Sequence, residues 1–213
     1  MHPSITIRVV TFLAFSTSLA MGQTQRLTQV LDATALKPPT GARVAIVEFA
    51  DFQCPACAHY NPILVAAAAQ YHIPWVRRDF PLPMHHWSFQ AAVYARWFDT
   101  KSIEYGDQYR NAVYLNQRNI ESLEDLRTAT EKFASDRKLS LPFLVDPENR
   151  LADAVKADAD LGKRTGIHET PTIFVVANSG TAPSYVQVTD VSQLYNIIDH
   201  ALASTAQLPT QGK

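Results

Sequence analysis

Val44-Ala-Ile-Val-Glu-Phe-Ala-Asp-Phe-Gln-Cys-Pro-Ala-Cys57 decides the fold of this chain. The run up to Phe49 is apolar except at Glu48, too continuous for a strand with one wet face. It predicts a strand over residues 45–49 that is buried on both sides. Two cysteines follow, separated by two residues, and then a helical pattern begins. A strand that runs into Cys-x-x-Cys at the start of a helix is the arrangement of a thiol–disulfide redox site. Cys54 and Cys57 are the only cysteines in the sequence. Zinc sites of three or four thiolates are thereby excluded, as is a scaffold of several bridges.

The helix that Cys54 opens carries Ile63, Leu64, Ala67 and Ala68 and extends to about Gln70, with Pro62 inside it, where a kink is expected. Residues 75–80 read as a second strand. Because a helix precedes it, it is expected to run parallel to the first. From residue 85 to 165 the strand signals stop. Helices are expected over 87–98 and 103–116. Ser122 caps another, with Asp125 at the capping-box position and Leu123, Leu126 and Phe133 on its apolar side. Asp146-Pro147 is expected to open a fourth. Strand signals return at 172–176 and 184–188, joined as a hairpin. A last helix carries Leu194, Ile197, Ile198 and Ala201 on one face.

The order is strand–helix–strand, a helical block, then strand–strand–helix, an α/β fold. Residues 43–84 and 166–204 are expected to form one domain and 85–165 a helical insertion. Residues 23–42 are a lead-in with a short helix and a turn at Lys37-Pro-Pro-Thr-Gly41, and 205–213 a flexible tail.

The N-terminus reads as an export signal over residues 1–22. One arginine, Arg8, precedes the apolar stretch from Val9 to Met21, and small residues place cleavage after Ala20 or Gly22. The stretch is shorter than the roughly 20 residues a spanning helix needs. A periplasmic or otherwise exported protein is expected, a location where disulfides persist. The short segment before the first strand favours a monomer. Of the 213 residues, 46% are hydrophobic and 18% charged, enough for an ordinary core and too apolar for disorder. With a net charge of −1 and no basic run, no nucleic-acid partner is expected.

Glu48-Phe-Ala-Asp-Phe-Gln-Cys-Pro-Ala-Cys57, then Phe80-Pro-Leu-Pro83, then Gly166-Ile-His-Glu-Thr-Pro-Thr172 resemble, in that order, the DsbA-like thiol:disulfide oxidoreductases. That resemblance covers about residues 43–203 and implies a thioredoxin-like fold interrupted by a helical domain. It implies that Cys54 is the exposed nucleophile, Cys57 the buried resolving thiol and Glu48 the buried carboxylate beneath them. It also implies a cis bond before Pro171, facing the cysteines, with Thr170 meeting substrate through its backbone, and Pro62 as the kink proline. Pro55 and Ala56, between the cysteines, are expected to touch substrate with Thr170 and Pro171. The chain departs from the family at Ala56, where its strongest oxidants carry histidine, and at His168-Glu169, where small residues are commoner. Both departures bear on redox poise and substrate choice.

The attacking species is a thiolate, so Cys54 must ionise near neutral pH. A helix N-terminus supports this through its free N–H groups and dipole, and Pro55 lets the helix start at once. Ala56 adds nothing polar, so Cys54 is expected to be less acidic than in the most oxidising relatives. Glu48 in a buried strand is costly unless it works or is paired. It is expected to accept the Cys57 proton with its own pKa raised by desolvation, or else to be hydrogen-bonded to a neighbour such as a lysine or water. Cys54, Cys57 and His59 form Cys-x2-Cys-x-His, and His85-His86 are adjacent, but neither spacing is that of a known zinc site. No metal and no cofactor beyond the Cys54–Cys57 disulfide are expected. Trp75, Trp87 and Trp97 read as core or rim, with the edge of the substrate groove as the lesser reading for Trp87. The leading expectation is a dithiol oxidase that gives its disulfide to unfolded or partly folded exported proteins with cysteines. A membrane quinone-linked thiol oxidase would restore it. A reductase or isomerase of the same fold, or a periplasmic thiol-based metal-binding module, are the alternatives.

Overall fold

A computed structural model describes residues 27–178 and 183–206. The expected signal segment lies outside these residues, as do 207–213. Four strands form one sheet in the order β2-β1-β3-β4: β1 is Val44–Ala50, β2 Trp75–Asp79, β3 Thr172–Asn178 and β4 Pro183–Gln187. Helix α1, Pro55–Tyr71, crosses from β1 to β2, which run parallel, while β3 is antiparallel to both β1 and β4. This mixed α/β sheet is the thioredoxin-like fold that the sequence implies.

Alternation along β1 and β3 sorts the core into two layers. Val44, Ile46, Ile173 and Val175 pack against α1 and the last helix α6, Leu194–Ala206. Ala45, Val47, Phe49, Phe174 and Val176 face the other way, onto Phe80, Ile167 and the lead-in residues Ala35 and Leu36. Glu48 shares parity with Val44 and Ile46, so it lies on the α1 side, under the cysteines.

Between β2 and β3 stand α2 (Ser88–Asp99), α3 (Ile103–Asn116), a 3-10 turn (Gln117–Asn119), α4 (Leu123–Asp136) and α5 (Arg150–Thr165). Their core is aromatic: Phe98 stacks on Tyr109 at 4.6 Å and meets Phe133 edge-on at 4.9 Å. Ser122 accepts from the Asp125 N–H, as the capping box requires. Phe52, from the loop after β1, is buried in this helical core rather than in either sheet layer. A second seam joins the helices to β2. Arg96 of α2 donates to Asp79 at 2.7 Å and to Asp158 of α5 at 2.5 Å, and Arg78 donates to Asp158 at 3.0 Å.

The structure corrects three expectations. Helix α5 begins at Arg150, not at Asp146-Pro147, because Asn149 is left-handed (φ 56) and cannot continue a helix; Asp146 instead reaches forward to accept from the Ala152 N–H at 2.8 Å. Residues 27–42 form no helix; Ala35 and Leu36 pack on the sheet, and the Leu31 N–H ties the segment to Thr165 O at 3.1 Å. Gly166 ends α5 at φ +95, and a Cβ there would stand 2.3 Å from Gln29 O, so this close approach of the lead-in needs glycine. Helix α6 continues through Ala206, with Thr205 buried, past the expected start of the tail. Trp87 stands in the core, as its leading reading has it, 1% exposed with its indole donating to Ile120 O.

Candidate active site

Cys54 is the N-cap of α1 and Pro55 its first residue, so the helix starts directly beneath the sulfur. The Thr170–Pro171 peptide is cis and brings the β3 approach against α1: Cys54 Sγ donates to Thr170 O at 3.1 Å. Cys57, one turn into the helix, is fully buried and accepts from the Asp51 N–H at 3.5 Å. Both cysteines are free thiols. The structure therefore brings together Cys54, Cys57, Thr170 and Pro171, with Pro55 exposed and Ala56 half-buried beside them. Cys54 is more recessed than the resemblance implies, at 6% exposure, because the Thr170–Pro171 segment covers it.

The two thiols are driven apart. Cys54 is brought down to about 6, first by the hydrogen bond from the Cys57 thiol; burial opposes this, and Thr170 and the N–H groups of Cys57 and Ala56 support it. The Thr170 hydroxyl is close enough to favour the thiolate although it has no partner of hydrogen-bond geometry. Cys57 is pushed well up, first by burial, then by the hydrogen bond it gives and the negative charge of Cys54 and Glu48. These shifts favour the thiolate at Cys54, which on ionising gives up its hydrogen bond to Thr170 O, while Cys57 keeps its proton.

Glu48 is buried on β1, and its Oε2 accepts from the Trp75 indole N–H at 3.1 Å. Burial is the main cause that pushes its pKa up to about 8, against Arg77 and the Trp75 hydrogen bond. Arg77 lies over the Trp75 ring at 4.6 Å and pairs with Asp107 of α3. The neighbour that is hydrogen-bonded to Glu48 is thus the Trp75 indole. Local patterning hides Trp75 because it is a cross-strand contact, although parallel pairing of Glu48 with Arg77 puts Trp75 on the same face.

Three further residues shape the loop before Cys54, and none is evident from motifs. Asp51 is buried and accepts from the Gln53 and Leu82 N–H groups, both at 2.6 Å; His85 Nδ1 lies 2.8 Å away but outside hydrogen-bond geometry. Ser88 accepts from the Phe52 N–H at 3.1 Å. Gln117 donates to both Phe52 O and Cys54 O. Among the described residues no set of three or more His, Cys, Asp and Glu side chains stands ready to hold a metal, and His59 is exposed on α1. Among those residues, too, no helix is long and apolar enough to cross a membrane.

Residues 39–189, well over half of the chain, match the family model described as thioredoxin. Alpha-DsbA1 from Wolbachia pipientis superposes with a TM-score of 0.61 at 18% identity, covering 81% of this chain and 92% of that one. DsbA2 from Pseudomonas aeruginosa gives 0.56 at 20% identity, covering 83% and 96%, and oxidised BdbD from Bacillus subtilis 0.54 at 17%, covering 84% and 98%. A curated relative, Na(+)/H(+) antiporter NhaA 3 of Salinispora tropica, is 25% identical over 183 residues. That match takes in 85% of this chain but spans only 27% of the antiporter's length. The chain belongs to the thioredoxin family and has the fold of the DsbA-like thiol–disulfide oxidoreductases.

Proposed function

We propose that the protein exchanges its Cys54–Cys57 disulfide with protein thiols, acting as an exported dithiol oxidase. The observation that carries this is the split between the thiols: Cys54 held near 6 and Cys57 held well above its usual value, one turn apart under a cis proline. In disulfide form, the Cys54 sulfur is attacked by a substrate thiolate. The S–S bond breaks, Cys57 leaves and takes up a proton, and a mixed disulfide forms at Cys54. A second substrate thiolate then attacks the substrate sulfur of that mixed disulfide. Cys54 leaves as the stabilised thiolate, the substrate is oxidised by two electrons, and the pair is reduced. Glu48, with a pKa of about 8, is poised to pass a proton to and from Cys57. Thr170, Pro171, Pro55 and Ala56 form the surface that meets an extended substrate.

Holding Cys54 near 6 stabilises the reduced pair at neutral pH by about 30 mV relative to an unperturbed thiol. That favours donation of the disulfide but is a fraction of the roughly 150 mV between thioredoxin and DsbA, so the potential decides direction. Unfolded or partly folded exported proteins with cysteines are the expected substrates, and a membrane quinone-linked thiol oxidase the expected recycling partner.

Two variants test the exchange. In Cys57→Ser the Cys54 thiolate should attack an unfolded protein whose cysteines are capped as disulfides with an aromatic thiol, expel that thiol, and accumulate as a mixed disulfide that has no second thiol to resolve it. Cys54→Ser should form none. Equal adduct formation by both variants, or by neither, overturns the assignment of Cys54 as the nucleophile.

A further inference from the structure

We propose that Gln117 is a positioning residue through which the helical insertion sets the ionisation of Cys54. The proposal deepens the exchange reading and rests on it. Gln117 opens the 3-10 turn after α3, and its side-chain nitrogen donates to Phe52 O at 2.8 Å and to Cys54 O at 3.0 Å. Both protons of one amide are thus spent on carbonyls either side of Gln53. The Cys54 carbonyl is also the first acceptor of α1, taking the Ala58 N–H at 3.2 Å. Gln117 therefore holds the peptide group from which the redox helix starts.

The rest of the loop is held from the same side. Ser88 takes the Phe52 N–H, the Trp87 N–H donates to Gln53 Oε1 at 3.1 Å, and the Phe52 ring stacks on Tyr114 at 5.2 Å. All these partners come from the segment between β2 and β3. Among these contacts, Gln117 alone reaches the backbone of the nucleophile itself.

Two effects follow, of one sign. A carbonyl oxygen is the negative end of its dipole, and a donor placed on Cys54 O draws that negative potential away from the sulfur of the same residue. The clamp also fixes the loop so that the Ala56 and Cys57 N–H groups stay aimed at Sγ, as an N-terminal anion site requires. Both favour the thiolate. Gln117 touches neither sulfur nor substrate in this structure, so it acts through Cys54.

The test compares the reduced wild type with Gln117→Met and Gln117→Glu, reading thiolate absorbance against pH. Methionine keeps the length and packing of glutamine but donates nothing. Glutamate sets oxygens against two carbonyl oxygens. Loss of one or two neutral hydrogen bonds should lower the Cys54 ionisation constant roughly five- to tenfold in Q117M. The midpoint should rise at least as far in Q117E. The rate of attack on a small disulfide below pH 7 should fall with the thiolate fraction. Midpoints of Q117M and Q117E that coincide with a wild-type value near 6 overturn the proposal and leave the exchange reading standing. A wild-type midpoint near about 8.5 would instead sink the exchange reading, and the difference between wild type and Q117M would still decide the role of Gln117.

Discussion

Two of the grips that the helical block has on the sheet and its redox loop use opposite chemistry. At the seam of β2, α2 and α5 the contacts are ionic: Arg96 bridges buried Asp79 and Asp158, with Arg78 on the second carboxylate of the pair. At the redox loop they are neutral: a serine hydroxyl, two glutamine amides and a stacked pair of rings hold residues 52–54. A full charge beside Cys54 would change the thiol's ionisation by its own field, whereas neutral donors fix the backbone and perturb the potential mildly. The seam can thus serve stability without touching the chemistry, and the loop can tune the chemistry at small cost to stability.

The sharpest way to break this contrast is Arg96→Ala. It leaves Asp79 and Asp158 buried with one charge partner removed, which should destabilise the protein by about 3 kcal/mol. Denaturant unfolding should show that loss, while the Cys54 titration midpoint stays where it is in the wild type. A shifted midpoint would mean that the seam and the site are not separable.

A smaller effect is expected at Glu48. Its folded pKa, about 8, lies above its unfolded value, so the unfolded chain releases this proton first and stability falls as pH rises from about 4.5 to about 8. Glu48→Gln should flatten that slope when both proteins are compared in the same redox state. It should also slow attack by Cys57 on a mixed disulfide by about tenfold or more, because the proton acceptor is lost. Stopped-flow resolution kinetics unchanged from pH 6 to 9 would remove Glu48 from the mechanism. The smallest change is expected from Trp75→Phe, which deletes one hydrogen bond to the carboxylate. Glu48 should titrate higher, and the pH at which resolution becomes fastest should rise by roughly half to one unit.

What the sequence reveals about this molecule follows the range of the interactions. The β1 run, the helix opened by Cys54 and the Ser122 cap are set by neighbours a few residues away, and they stand where local patterning puts them. Helix α3 is bounded as read, Ile103–Asn116, because Ser102 caps it through the Tyr105 N–H. The start of α5 departs from the pattern because the left-handed turn at Asn149 is not dictated by Asp146-Pro147. Site contacts are long-range and leave no trace in local patterning. Trp75 meets Glu48 across two strands, and Gln117 returns to the Cys54 backbone from the far end of α3. Phe52 lies just past the first strand's apolar run, yet its burial is in the helical core and not in a sheet layer.

The reduction potential of the Cys54–Cys57 pair tests the proposed direction of chemistry most directly. The purified protein without residues 1–22 would be equilibrated in glutathione buffers and its thiol state read after acid quenching and alkylation. A disulfide donor should show a potential of about −120 to −180 mV, the range of known oxidants and isomerases. A value near about −270 mV, that of thioredoxin, would contradict the oxidase reading and mark the pair as a reductant.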